Sequence, residues 1–401
     1  MKTAPGLADL MDRATALRPV LRERARQTEL DRRVSPEVTD MLNSAGLYRA
    51  VQPRRFGGSE LPLEDLRRLA YTVGTGCTST GWCFGLSAAV SWMLAMFPDE
   101  AQHDVWDDAP GTVMAACIAP TGKAERNPDG SFRLRGRWGF ASNCDNAQWL
   151  ALGALLDEGD GKPPRAMFLL VPKARYTIVD TWFTVGLAGT GSKDIAIDAE
   201  ITVPAHRTVF FNQLLDQSAP GSDVNGGALY RVPLLSGFPP LIANPALSAL
   251  RGALDEFIDT VAGRATRGAF VGAGNTIAQF GHVQSAVAEG EAALDAAHLV
   301  LSRDLQLATD LAAHFATDGN RVTQQQRIDF RRGHAYVVRL CVNAINSLYD
   351  AVGGTGIHLD SGVQRAWRDI NAVAHHISVN WNAVSTMHGQ MRLGLPPRGQ
   401  Y

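Results

Sequence analysis

Four hundred and one residues exceed what one hydrophobic core usually organises, since single cores stop growing near ~250 to 300 residues, so two or three packed units are expected. Hydrophobic residues at 45% against 19% charged set aside wholesale disorder. Thirty-eight Lys and Arg against 40 Asp and Glu leave a formal net charge of −2, no global field for a polyanion, so nucleic acid and anionic membrane are not expected partners.

From Leu7 to Met114 the apolar spacing is helical, with Val38, Met41, Leu42 and Leu47, then Leu66, Leu69, Ala70 and Val73, recurring at three and four residues. Pro53 to Gly58 interrupts that pattern with turn residues. Between about 114 and 215 the period changes to two: Phe132 and Leu134 alternate with Arg133 and Arg135, and Ile195, Ile197, Ala199, Ile201 and Val203 alternate with mostly polar neighbours. Asp157 to Pro164 reads as an exposed hairpin loop, and Ser218 to Gly227 as a linker. Helical spacing then returns in the stripe Leu247, Leu250, Leu254, Phe257, Ile258 and Val261, and Val283 to Ala316 and Gln324 to Val352 are long enough for helices of a bundle. The fold class is therefore α+β, divided into a helical domain (1–113), a β domain (114–217) and a helical bundle (218–401).

No apolar run approaches the ~20 residues that span a bilayer, and Cys77, Cys83, Cys117, Cys144 and Cys341 have no CxxC spacing. A soluble protein of the reducing cytoplasm is expected, without disulfides or structural zinc. Other signatures are missing too: no GxGxxG follows a strand, and neither GxxxxGK[ST] nor GxSxG occurs. Asp295 and His298 share one helix, but a di-iron site needs carboxylates from four helices and a second such pair, so structural roles and no metal are expected.

Three unusual clusters remain: Trp138 to Asp145, Gly186 to Ser192, and Gly353-Gly-Thr-Gly356 followed by Arg365-Ala-Trp-Arg-Asp369 and His375-His376. Together with Pro53 to Gly58 and Cys77-Thr-Ser-Thr-Gly-Trp82, in this order, they resemble the acyl-CoA dehydrogenase fold, specifically its flavin-dependent monooxygenase branch of two-component aromatic hydroxylases, such as 4-hydroxyphenylacetate 3-hydroxylase oxygenases. The resemblance covers essentially the whole chain. It implies an N-terminal helical domain, a central β-barrel or sandwich and a C-terminal bundle, usually as a homotetramer whose neighbouring subunits help bind flavin.

On that resemblance Ser142 lies near flavin N5, where a hydroxyl can both donate and accept, although a strand-end serine can equally bond to backbone. Trp138 and Phe140 alternate along a strand and could line a flavin face or simply pack. Gly189, Thr190 and Ser192 suit a close approach to flavin or a plain β-turn. Arg264 and Arg267 sit where the family directs a cation to the flavin phosphates, with exposed helix arginine as the plain alternative. Gly353, Gly354 and Thr355 form the turn that the family places beside a partner's flavin, while glycine there is also an ordinary helix cap.

The dehydrogenases commonly carry a glutamate base nine residues past the arginine that here is Arg368, and here that position is Ile377, which cannot accept a proton. His376, one residue earlier, is what the oxygenase branch has instead. The resemblance thus implies reduced flavin (FADH2 or FMNH2) from a separate NAD(P)H:flavin reductase, dioxygen activated as a flavin C4a-hydroperoxide, and Ser142 and His376 as catalytic residues that hold its protons. Val90, Trp92, Cys117 and His376 are expected along the substrate pocket. Simple-phenol members often have histidine where Val90 stands, so an indole or polycyclic aromatic fits that position better than a small charged phenol. Oxygenation at nitrogen or sulfur, and a flavoprotein of the fold without oxygenase turnover, are the alternatives.

Overall fold

The computed structural model describes residues 4–159, 161–261, 263–265 and 276–401. The N-terminal part consists of α1 (Leu7–Leu30), α2 (Pro36–Ser44), α3 (Leu63–Gly74), α4 (Thr78–Leu94) and α5 (Asp99–Trp106). Ser35 caps α2 by accepting from the Val38 amide at 3.3 Å, and Pro36 fits the first turn, where its missing N–H costs nothing. Helix α4 is apolar almost all round and is buried on nearly all sides, as such a helix must be.

Seven strands follow: β1 (Met114–Arg126), β2 (Phe132–Ala141), β3 (Trp149–Leu156), β4 (Arg165–Pro172), β5 (Thr177–Val179), β6 (Lys193–Val203) and β7 (Thr208–Phe210). They make one sheet in the order β5-β6-β2-β1-β3-β4-β7, parallel only between β1 and β3. Of the expected 157–164 loop, residues 157–159 and 161–164 are exposed and lie between β3 and β4; residue 160 is outside the described residues. The sheet curls around its own core, including Leu134, Trp138, Leu152, Leu169 and Ile195.

Beyond the sheet come α6 (Phe211–Leu215), α7 (Pro220–Asn225), α8 (Leu234–Glu256), α9 (Gly281–Asp318), α10 (Gln324–Val352), α11 (Gly362–Ala374) and α12 (Trp381–Arg392). The expected linker at 218–227 is corrected: it contains α7, pinned by Gly221 N–H to Met96 O at 3.0 Å and Asn225 Nδ2 to Ala95 O at 2.6 Å, with Ser222 fully buried. Small residues let this segment lie against the chain after α4; a Cβ on Gly221 would overlap the Ala95 and Phe97 carbonyls.

Helix α8 starts well before the Leu247 stripe and carries Pro239, Pro240 and Pro245 internally. Proline there is tolerated because the helix is the buried axis of the molecule, packed on α3, α4, α10 and α11, so tertiary burial outweighs local propensity. The two helical parts share one continuous core, in which Val73 and Leu94 join Leu250, Ile345 and Ile370. Among the described residues no helix is long and apolar enough to cross a membrane.

Candidate active site

Strand β2 ends in an irregular turn. The register with β6 slips between Trp138 and Ala141, and Phe140 takes φ +65°, a left-handed conformation that side chains with a Cβ rarely adopt. Asn143, two positions beyond Ala141, repeats it with φ +63°. Its conformation is held by its N–H to Thr190 O at 3.0 Å, its Nδ2 to Ser87 Oγ at 3.0 Å and its Oδ1 accepting from Asn146 Nδ2 at 2.9 Å. Left-handed residues held this firmly are the kind of strained backbone that clusters at active sites. Ser142 lies between the two strained residues, half-buried.

The bulge corrects one expectation directly. Regular alternation would put Trp138 and Phe140 on one face; instead Trp138 is fully buried in the sheet core, its Nε1–H donating to Gly153 O at 2.6 Å, while Phe140 turns outward and is 74% exposed. Trp138 is a packing residue seated over Gly122 and Gly136. Phe140 instead meets Trp182 edge-on at 5.8 Å, beside the exposed Phe183 and Val185.

Ser142 begins a chain of hydroxyls. Trp82 Nε1 lies 2.9 Å from Ser142 Oγ, Ser142 Oγ 2.8 Å from Ser192 Oγ, Ser192 Oγ 2.7 Å from Thr190 Oγ1, and Thr190 Oγ1 2.8 Å from Leu187 O. Both ends fix its direction. An indole N–H only donates and a carbonyl only accepts, so Thr190 donates to Leu187, Ser192 to Thr190 and Ser142 to Ser192. The Ser142 proton is thereby committed, and its remaining capacity is as an acceptor.

His376 follows α11 and meets the same indole, its ring centroid 5.9 Å from that of Trp82. Ser378 N–H donates to His376 Nδ1 at 3.1 Å, so the neutral ring carries its proton on Nε2. Burial, with a smaller contribution from the Arg331 cation, pushes the imidazole down to about 4, so it is uncharged at neutral pH. Next to it, Ile377 is 64% exposed. Helix α11 also grips the loop that bears the hydroxyls: Arg368 bonds Val185 O at 2.7 Å and Glu29 of α1 at 2.5 Å, while Asp369 accepts from Leu187 N–H at 2.6 Å. Burial raises the Asp369 carboxyl to about 6.

The other expected residues are dispersed. Val90, Trp92 and Cys117 are packed in cores, with Trp92 Nε1–H satisfied by Leu229 O at 2.8 Å; the structure gives them packing roles rather than an open pocket wall. Gly189 is likewise a packing residue, since a Cβ there would come within 2.7 Å of the Thr28 methyl and 3.0 Å of Ser79 Cβ. Arg264 bonds the Thr355 hydroxyl and, at 3.1 Å, Val352 O, forming a second cluster with the exposed turn of Gly353 (φ +71°), Gly354 and Thr355. Among the described residues no hydrogen bond joins this cluster to Ser142, and Arg267 lies outside them. His298 belongs to the α3–α9 seam, beside Arg67 at 3.2 Å and edge-on to Tyr71, and burial lowers it to about 4.

Residues 241–381 match the model of the acyl-CoA dehydrogenase C-terminal domain. The chain is 42% identical over 394 residues, 98% of this chain and 96% of the relative, to the oxygenase component of an FADH2-dependent resorcinol hydroxylase from a Rhizobium species. It belongs to the flavin-dependent monooxygenases of the acyl-CoA dehydrogenase fold. A second monooxygenase, the oxygenase subunit HsaA of Rhodococcus jostii, is 31% identical across 96% of this chain and 98% of its own length. The Streptomyces protein XiaF, solved with FADH2 and glycerol, superposes with a TM-score of 0.89 at 25% identity, covering 98% of this chain and 97% of that one.

The site of this monooxygenase fits the cofactor of its family. A flavin ring needs apolar surface beside an acceptor or donor at its edge, and here the exposed Phe140, edge-on to Trp182, stands two residues from Ser142 with its accepting lone pair. Trp82, which joins Ser142 to His376, was visible only as the last residue of the Cys77–Trp82 motif. Its role depends on a contact across 60 residues, which no local pattern carries.

Proposed function

We propose that this monooxygenase receives reduced flavin, FADH2 by analogy with its resorcinol-hydroxylating relative, from a separate reductase and hydroxylates a small, uncharged, electron-rich phenol of the resorcinol class. Reduced flavin, when bound, supplies the two electrons with which one atom of dioxygen enters an aromatic C–H bond and the other leaves as water. The observation that carries this reading is the directed hydroxyl chain ending at Ser142 beside a neutral His376. A committed proton leaves Ser142 suited to accept from the N5–H of reduced flavin, which oxidised flavin lacks. His376, with its proton on Nε2, donates to an oxygen at the site and cannot act as the dehydrogenase base. The groups that meet the Trp82 indole, Ser142 and a neutral His376, are themselves uncharged, which favours a neutral phenol over an anionic one.

Assembly as a homotetramer is part of this proposal. The exposed Arg264–Thr355 cluster and the exposed Leu299, Leu307 and Tyr336 of the bundle support surfaces shared between subunits, the first of which would complete a neighbour's flavin site. The test supplies chemically reduced FAD and 18O-labelled dioxygen with a panel of phenols and indoles. One labelled oxygen in a hydroxylated ring supports the proposal, whereas labelled hydrogen peroxide with every aromatic unchanged counts against it.

A further inference from the structure

Arg331 of α10 is only 3% exposed, and among the described residues no carboxylate pairs with it. Its guanidinium donates instead to two backbone carbonyls, Ser378 O at 2.9 Å and Gln400 O at 3.0 Å, and its Nε is buried without a partner. Burial lowers it to about 10, which still leaves it protonated at neutral pH. An uncompensated buried cation costs stability that Met or Leu at the same place would not, so packing alone does not account for it.

The two carbonyls show what the cation holds. Ser378 is the residue whose N–H bonds His376 Nδ1. Gln400 belongs to a segment folded back over α10 and α12, where Arg398 N–H bonds Gln390 Oε1 at 3.0 Å and Tyr401 packs on the small cluster of Ile328, Ala335, Val384 and Met387. We propose that Arg331 is the positioning residue of the His376 turn: it clamps the peptide at Ser378 against residues 398–401, so that the imidazole is held as one tautomer with Nε2–H directed into the site. The proposal rests on the reading of His376 as a site residue. Around the ring, Trp82 of α4 contributes no charge, His375 on the same turn is bonded away to Asn371 O, and Arg331 of α10 is the cation whose field the imidazole feels.

The test is histidine NMR on the flavin-free protein labelled with 15N and 13C in histidine, with His376 assigned through His376→Gln. The wild-type ring is expected to be a single Nε2–H tautomer titrating near 4. In Arg331→Met the turn is released, both tautomers appear and the midpoint moves toward the ordinary value of ~6.5. Arg331→Gln, which keeps a donor but drops the charge, is expected to retain the tautomer while the midpoint rises, and it serves where Arg331→Met does not fold. A folded Arg331→Met protein in which His376 keeps the single Nε2–H tautomer overturns the proposal whatever its midpoint, and so does a folded Arg331→Gln protein with an unchanged midpoint. Neither flavin nor substrate enters this measurement, so its failure is separable from a failure of the hydroxylation test.

Discussion

Ser142 and His376 both contact the indole of Trp82, and each can be tested by removing a single group. Ser142→Ala deletes the acceptor and leaves Trp82 N–H and Ser192 without their shared partner. A lost hydrogen bond of ~1 to 3 kcal/mol felt fully in the transition state corresponds to roughly 5- to 150-fold in rate. The expected outcome is a smaller share of oxygen in product and a larger share in hydrogen peroxide, read by quantifying both, with the melting temperature within a few degrees of wild type. For His376 the expected titration midpoint is about 4, so hydroxylation owes no inflection to this group between pH 6 and 8. Since the folded ring is depressed below its unfolded value, the unfolded chain binds more protons between about 4 and ~6.5. The contribution of His376 to stability is therefore complete above that window and is lost as pH falls through it. Comparing denaturant midpoints of wild type and His376→Gln at pH 5 and pH 8 checks the sign: the variant should be relatively less impaired at pH 5.

At the scale of elements, periodicity located α9 and α10 nearly to the residue, because long amphipathic helices announce themselves over many turns. It failed at the end of β2, where a bulge and a left-handed Phe140 separate two residues that alternation would pair. It failed again at α7 and the start of α8, whose glycine, serine and proline content reads as loop until burial against the N-terminal helices is known. Gly189 shows the same limit, since its lack of a side chain leaves room for Thr28 of α1 and Ser79 of α4, a contact no local pattern carries. Gly189→Ala should cost ~1 to 3 kcal/mol of stability through overlap with Thr28 and Ser79, measurable as a lowered denaturant midpoint. The resemblance in the motifs singled out Ser142 and His376, which the structure places against one indole. The indole between them, and the clasp of Arg368 and Asp369 on the hydroxyl-bearing loop, required the tertiary structure.

For the whole molecule, the fold is shared with dehydrogenases, while Ile377, which the resemblance sets at their base position, is exposed and follows an uncharged histidine. Incubation with acyl-CoAs of several chain lengths and an artificial electron acceptor should give no enoyl product. With Ser142 placed at flavin N5 as proposed, the cofactor is expected to be borrowed rather than resident, because the directed hydroxyl chain leaves there an acceptor that only the N5–H of reduced flavin satisfies. Anaerobic equilibrium dialysis of reduced and oxidised FAD against wild type and Ser142→Ala tests this most directly. Reduced FAD should bind the wild type at least ~5-fold more tightly than oxidised FAD, the equivalent of one hydrogen bond, with the preference shrinking in the variant. Equal affinity for both redox states, or oxidised flavin carried stoichiometrically through purification, would contradict it.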